Sequence, residues 1–259
     1  GDGNILAVGA PGLWEDEDRP GHVEVYKWHA RGSSWKRKDF IEGETKGDEF
    51  GRSISLSADG AILAIGAPYS NRNGTSASGM VNVYEKVEAS SQYEQIGRSI
   101  VGESADEFLG EAVDLSADGK TLAISAPWYG SHVGFVKVYE WDEVSSNYTQ
   151  MGQTILGKAW NDYFGWSLSI SADGNDLAIG APGFHEENRQ GYVSVYSWDI
   201  EGSSWEALGE TITGENGTEF GFSVDLSSDG MNLAIGAPFN ENNSTKKTGE
   251  VNVFGLELI

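Results

Sequence analysis

Shortly after each of five Ala-Pro pairs the chain carries a large flat side chain: Trp14, Tyr69, Trp128 with Tyr129, Phe184 and Phe239. Carboxylates recur in step with them, at Asp48 and Glu49, Asp106 and Glu107, Asp162 and Glu219. Flat ring faces stack on the carbons of a sugar, and carboxylates accept hydrogen bonds from its hydroxyls, so this pairing suits carbohydrate. The same rings suit a protein partner anchored by aromatic hot spots. Rings at one position of a repeat also pack between neighbouring repeats, which requires no ligand. A third chemistry is offered by N-x-S/T sequons at Asn73, Asn147, Asn216, Asn242 and Asn243, all in expected loops or turns where a glycan would be tolerated.

Other chemistries find little support. The chain has no cysteine, which excludes disulfides, thiol catalysis and Cys-ligated zinc. The four histidines, His22, His29, His132 and His185, are scattered rather than set at metal-ligand spacing. There is no nucleophile elbow, phosphate-binding loop or dinucleotide fingerprint. Carboxylate pairs recur as like groups in every repeat, whereas an active site brings unlike groups together, so the expectation is a chain that is not an enzyme. The net charge of −23, from 17 Lys+Arg against 40 Asp+Glu, sets aside nucleic acid and anionic lipid, because phosphate binding needs basic side chains. No apolar run approaches the roughly 20 residues of a membrane-spanning helix.

The elements that must position these residues are read from an internal repeat. The strings GNILAVGAP, GAILAIGAP, GKTLAISAP, GNDLAIGAP and GMNLAIGAP occur in order, each opened by an Asp-Gly pair at Asp2, Asp59, Asp118, Asp173 and Asp229. The spacing of about 55 to 59 residues gives repeat units of approximately 1–43, 44–103, 104–158, 159–215 and 216–259, within one domain spanning 1–259. Each unit reads as four short strands. FGRSISLS alternates with period two, as a strand with two different faces must. Asp-Gly supplies a tight hairpin. LAIGAP is nearly all small or apolar, as a strand buried on both faces requires, and its proline ends the ladder. GxVxVY forms a third strand, and a fourth opens on Trp35, Tyr93, Tyr148 or Trp205. Four antiparallel strands per unit, with no helical period, specify an all-β fold: a β-propeller of four-stranded antiparallel blades. Five repeat units are visible, the first and last incomplete: the first lacks its opening strand and the last its fourth.

The unit resembles the FG-GAP repeat of the integrin α-subunit propeller. Phe50-Gly51, Phe164-Gly165 and Phe220-Gly221 carry the first half of the motif and the Gly-Ala-Pro strings the second; the third copy departs from it with Phe108-Leu109-Gly110 and Ser125-Ala126-Pro127. The SADG and LAIGAP variants are most similar to the arrays of marine bacteria and diatoms. The resemblance implies that the two gaps, falling in different copies, mark an excerpt of a longer array, seven blades being the integrin-like number; irregular ring closure is the other reading. It also implies ligand binding on an upper face built from the loops that carry the aromatic residues. Calcium in this family sits in the hairpin between the first two strands of a blade. Here that loop is eroded: the third and fifth copies keep Asp114 with Asp118 and Asp225 with Asp229, but Leu122 and Leu233 stand at the last ligand position. Either the aspartates cap plain hairpins, or calcium persists at those two copies.

The expectation is therefore an extracellular, secreted or lumenal adhesion module. Its partner is a glycan or a protein taken through the upper-face loops, with no nucleic-acid partner, no membrane insertion and no cofactor beyond the calcium just described. The alternative is a structural subunit of a larger assembly with no small-molecule ligand.

Overall fold

The computed structural model describes residues 3–12, 19–72, 74–90, 92–184, 189–240 and 248–256. Each repeat builds one antiparallel sheet. The first holds β1 (Ile5–Ala10), β2 (His22–His29) and β3 (Ser34–Glu42). The second is complete, with β4 (Ser53–Leu56), β5 (Ile62–Ala67), β6 (Met80–Lys86) and β7 (Tyr93–Val101) in that order. The third holds β8 (Val113–Leu115), β9 (Thr121–Ala126), β10 (Phe135–Asp142), β11 (Asn147–Gln150) and the short β12 (Ile155–Leu156). The fourth repeats this pattern with β13 (Ser167–Ile170), β14 (Asp176–Ala181), β15 (Gln190–Asp199), β16 (Ser204–Ala207) and β17 (Ile212–Asn216). The fifth has β18 (Ser223–Leu226), β19 (Asn232–Ala237) and β20 (Glu250–Gly255).

The strands follow the sequence pattern closely. LAIGAP forms the second strand of each complete sheet, and all six residues of β9 are buried. The expected single fourth strand is, however, split in the third and fourth sheets. Gly152 and Gly209 adopt left-handed φ of 74° and 70° at the break, and the chain resumes as β12 and β17. In the second sheet Gly97 (φ 63°) occupies the same place, and β7 runs on with only a register shift. A further departure is a tight turn, α1 (Tyr129–His132), in the loop after β9, with left-handed φ at Gly130, Ser131 and His132.

The chain resolves into two compact units. Unit 1 comprises Gly1–Ile124 and Glu140–Thr149; unit 2 comprises Ser125–Tyr139 and Gln150–Ile259, so the third sheet contributes to both. Unit 1 is organised around Val23, Val25, Ile41, Phe50, Leu63, Ile65 and Met80, which interleave side chains of the first two sheets. Unit 2 has the corresponding core of Val193, Val195, Phe220, Leu233 and Ile235. Within each unit the repeat motif is a packing device. A Cβ on Gly66 would lie 2.1 Å from the carbonyl oxygen of Gly110, and one on Gly180 would lie 2.1 Å from that of Gly221. The glycine of one sheet's second strand thus seats the Phe-Gly loop of the next, and Ser53 Oγ and Ser167 Oγ donate to those same carbonyls at 2.7 and 2.8 Å. Among the described residues no helix is long and apolar enough to cross a membrane.

Candidate functional site

The loop entering each of the second to fifth sheets is held by a repeated backbone kink. Glu49, Phe108, Tyr163 and Glu219, each two residues before the motif glycine, have left-handed φ of 53–54°. A non-glycine residue pays roughly 1–2 kcal/mol for that conformation, so the surroundings must enforce it. They do so through the polar residue just before, which is buried each time: Asp48 (2%), Glu107 (3%), Asp162 (4%) and Thr218 (4%). Asp48 accepts from the Ser70 hydroxyl at 3.0 Å. Glu107 accepts the N–H groups of Glu103 and Ser104 at 2.8 and 2.9 Å. Asp162 accepts from Lys158 N, Ala159 N and the Tyr192 hydroxyl, and pairs with Arg189 at 3.0 Å. Burial raises the Asp48 and Glu49 carboxyls above the ordinary range, and burial followed by the Asp162 charge raises the Tyr192 phenol. Asp48, Glu107 and Asp162 are thus internal loop clamps rather than groups offered to a ligand.

The rings behave differently in the two units. In unit 1, Tyr69 packs edge-on to Phe108 at 4.9 Å, beside the ion pairs of Arg52 with Glu111 (2.9 Å) and Glu49 (3.4 Å). Burial, then the Glu49 and Glu111 carboxylates, push the Tyr69 phenol up. In unit 2, Trp128 and Phe184 meet through Tyr163, with ring centroids at 5.3 and 5.1 Å. Trp166 lies 4.4 Å from Phe184 and 6.0 Å from Phe222, which extends the cluster. His132 stacks on Tyr163 at 4.7 Å with a 20° tilt, and its Nδ1 lies 3.1 Å from Asn161 Oδ1. The α1 loop is zipped onto the Phe164 loop by Tyr163 N–H to His132 O (2.8 Å) and Asn161 N–H to Ser131 O (3.3 Å). Tyr163 and Phe184 are buried, Trp128 and Trp166 half-buried, and Phe222 is 39% exposed. Next to the cluster in the chain, Trp160 is 74% exposed. An exposed tryptophan and a cluster of fixed rings are the residue types that binding hot spots favour.

Of the six aromatic residues expected to take a ligand, Trp14 lies outside the described residues. Tyr69 is an inter-sheet contact in unit 1, and Trp128 and Phe184 join the unit 2 cluster. Tyr129 (37% exposed) turns onto Phe135 at 5.0 Å, and Phe239 is 37% exposed. The sequence reading overlooked Trp160, Tyr163, Trp166 and Phe222. A signal existed: Trp166 and Phe222 directly follow the motif glycine, where unit 1 has Arg52 and Glu111.

Of the aspartates considered for calcium, Asp118 and Asp229 cap turns, and Asp114 and Asp225 lie on strands. Asp118 accepts from Ser116 Oγ (2.7 Å) and Lys120 N (2.9 Å), and Asp229 from Ser227 Oγ (2.5 Å) and Met231 N (3.0 Å). Asp114 accepts from Ser55 Oγ at 2.8 Å, and Asp225 lies on β18 facing solvent. Leu122 and Leu233 are fully buried in the core. These residues do not fit a calcium loop, and among the described residues no group of three or more carboxylates and histidines could hold a metal. Of the sequons, Asn73, Asn242 and Asn243 lie outside the described residues. Asn147 opens β11 rather than lying in a loop, and its side chain accepts from Arg98 N (2.9 Å) and donates to Ser145 O (2.7 Å). Asn216 closes β17 and is exposed.

A family model described as FG-GAP repeat matches residues 43–84. Integrin alpha-7 of Rattus norvegicus is 28% identical over 243 residues, covering 81% of this chain and 20% of that protein. The chain thus spans about a fifth of the length of this curated relative. Among solved structures, a protein assigned as 6-phosphogluconolactonase from Bacteroides uniformis superposes with TM-score 0.62 at 9% identity, covering 96% of this chain and 68% of that one. A periplasmic gluconolactonase from Pseudomonas aeruginosa gives 0.58 at 14%, covering 95% and 68%. The Dos1 propeller gives 0.50 at 11%, covering 85% and 48%. The fold is that of a β-propeller-like protein, and residues 43–84 match the FG-GAP repeat model. The lactonases correct one expectation. The recurrence of like carboxylates was read as excluding an enzyme, but this fold houses enzymes, so that exclusion does not hold.

Proposed function

We propose that this FG-GAP-repeat, β-propeller-like chain is a protein-interaction module. It takes its partner at the aromatic surface of unit 2, around Trp160, Trp166 and Phe222. One observation carries this reading. The position after the motif glycine is closed by the Arg52–Glu111 ion pair in unit 1, but is aromatic in unit 2, where Phe222 is 39% exposed and Trp160, six residues before Trp166 in the chain, is 74% exposed. Fold stability alone does not ask for that difference, since both versions seat the same loop. The buried, internally bonded carboxylates of Asp48, Glu107 and Asp162 favour a protein over a glycan as the partner, because a sugar would need them free. The likeness to integrin alpha-7 supports a place outside the cell or in a lumen, as part of a larger assembly.

The test is capture from an extracellular protein extract by immobilised wild type and by a Trp160→Ala/Phe222→Ser variant, with mass-spectrometric identification. Hot-spot truncation costs about 2 kcal/mol or more, so the specific partner should be lost from the variant. It should be retained by Val144→Ser, which removes a 95% exposed residue of unit 1. Identical capture profiles for all three proteins would refute this surface.

A further inference from the structure

A second feature lies in unit 1 and is independent of the aromatic surface. Ile5 and Val25 line a cavity of about 70 Å³ that is rimmed by Lys27, Lys38 and Lys86 and walled by Tyr93. Lys27 pairs with Ile5 across β1–β2, Lys86 pairs with Tyr93 across β6–β7, and Lys38 is the extra residue of a bulge on β3, opposite Val25 and Tyr26 of β2. Bulges re-aim side chains, and this one leaves Lys38 lining the same cleft as Lys27 and Lys86. None of the three lysines has an ion-pair partner among the described residues. The carboxylates beside Tyr93 already accept backbone and hydroxyl hydrogen bonds, and the Lys86 charge also acts on Asp59. Asp39 accepts from Tyr93 N (2.6 Å) and Phe40 N (2.8 Å), and Asp59 accepts from Ser57 Oγ (2.7 Å) and Ala61 N (2.8 Å).

The neighbouring repeat shows that the fold does not require lysine there. Lys86 N–H donates to Ala61 O at 2.8 Å, and Trp141 N–H donates to Lys120 O at 2.8 Å in the corresponding cleft. Tyr93 and Tyr148 likewise donate to Gly60 O and Gly119 O. Ile62 pairs with Glu85 where Ile5 pairs with Lys27. The equivalent cleft, about 240 Å³, therefore has Glu85 and Trp141 in place of Lys27 and Lys86. Three lysines line this one cleft, with the Asp59 charge near Lys86, and the excess positive charge they bring, in a chain of net charge −23, attracts an anion. The cavity is far smaller than a drug-sized pocket, so it takes a single charged head group.

We propose that this cleft is a binding site for a tetrahedral oxyanion, a phosphate or sulfate group held by Lys27, Lys38 and Lys86, either free or carried on a larger molecule. The experiment is equilibrium dialysis of the whole chain against inorganic phosphate and, separately, sulfate, at ionic strength balanced with chloride. Saturable uptake of one equivalent is expected, and which ion binds more tightly identifies the group. Lys27→Glu and Lys86→Trp install the residues that the next repeat carries, so the variants should fold, which circular dichroism checks. Each should weaken binding about tenfold or more, as loss of one charged hydrogen bond does. Lys38→Gln, a milder change, should weaken it in the same direction. Absence of saturable uptake of either ion up to tens of millimolar would overturn the site. So would uptake that is equal in wild type and all three variants.

Discussion

Replacing Gly66 by serine asks how tightly the repeat motif couples adjacent sheets. The new Cβ would lie 2.1 Å from Gly110 O and 2.3 Å from Ser53 Oγ, against the roughly 3 Å that real contacts keep. The Phe-Leu-Gly loop must therefore retreat by about 0.9 Å, an overpacking strain of about 1–3 kcal/mol. Retreat also stretches the Ser53 Oγ–Gly110 O bond (2.7 Å) and disturbs the Gly51 N–Gly66 O bond (3.0 Å), each worth about 1 kcal/mol. The expected loss is about 3 kcal/mol. The third repeat suggests the remedy, since it carries Ala112 and Ser125 where the second carries Ser53 and Gly66. Ser53→Ala in the Gly66→Ser background removes the closer side-chain conflict and leaves the new hydroxyl to serve Gly110 O. The double variant should recover half or more of the loss, although Ser53→Ala alone is destabilising. Urea unfolding followed by tryptophan fluorescence, analysed as a double-mutant cycle, reads the coupling directly. If Gly66→Ser is within about 0.5 kcal/mol of wild type, or the two changes simply add, the packing argument is wrong.

Three further outcomes concern a buried phenol, an aspartate that caps a turn and a buried indole. The Tyr93 phenol, 8% exposed and donating to Gly60 O at 2.6 Å, is pushed up to about 12, chiefly by burial. A raised folded-state value means its contribution is whole below pH 10 and lost as the pH climbs toward 12; the alkaline limb of a stability–pH curve should flatten in Tyr93→Phe. Asp59 is held below its ordinary range, first by the Ala61 N–H and then by the Ser57 hydroxyl. Its contribution is present above the usual aspartate range and lost in acid, so urea midpoints of wild type and Asp59→Asn should differ at pH 6 and converge as the pH falls below about 4. Trp205, 2% exposed, donates its indole N–H to Met151 O at 3.2 Å and is bracketed by the Gln153 amide at 2.7 and 2.9 Å. Trp205→Ala should cost about 3–5 kcal/mol in the same unfolding assay, and a loss under 1 kcal/mol would refute its bridging role.

The all-β repeat architecture was legible in the chain because it rests on local chemistry. Period-two alternation, Asp-Gly hairpins and strand-ending prolines specify β4 to β7 residue by residue, and the same signals recur for every sheet. The unreadable departures are the breaks at Gly152 and Gly209. The equivalent Gly97 leaves β7 unbroken, so ladder continuity there depends on how the neighbouring sheet supports the strand. The functional reading divides in the same way. Residue type and spacing marked Trp128 and Phe184, but they did not distinguish a carboxylate offered to a ligand from one consumed by its own loop. Asp48, Glu107 and Asp162 look like binding groups in the sequence and are clamps in the structure, because only the folded loop brings the backbone N–H groups or hydroxyls onto them. Side chains remote in the chain, Trp166 with Phe222 in unit 2 and Lys27 with Lys86 in unit 1, become neighbours only when successive sheets pack. The sequence by itself determined strands, turns and repeat. Which side chains share a surface was decided by tertiary packing, because that depends on contacts between repeats roughly 55 residues apart, beyond the reach of any local pattern.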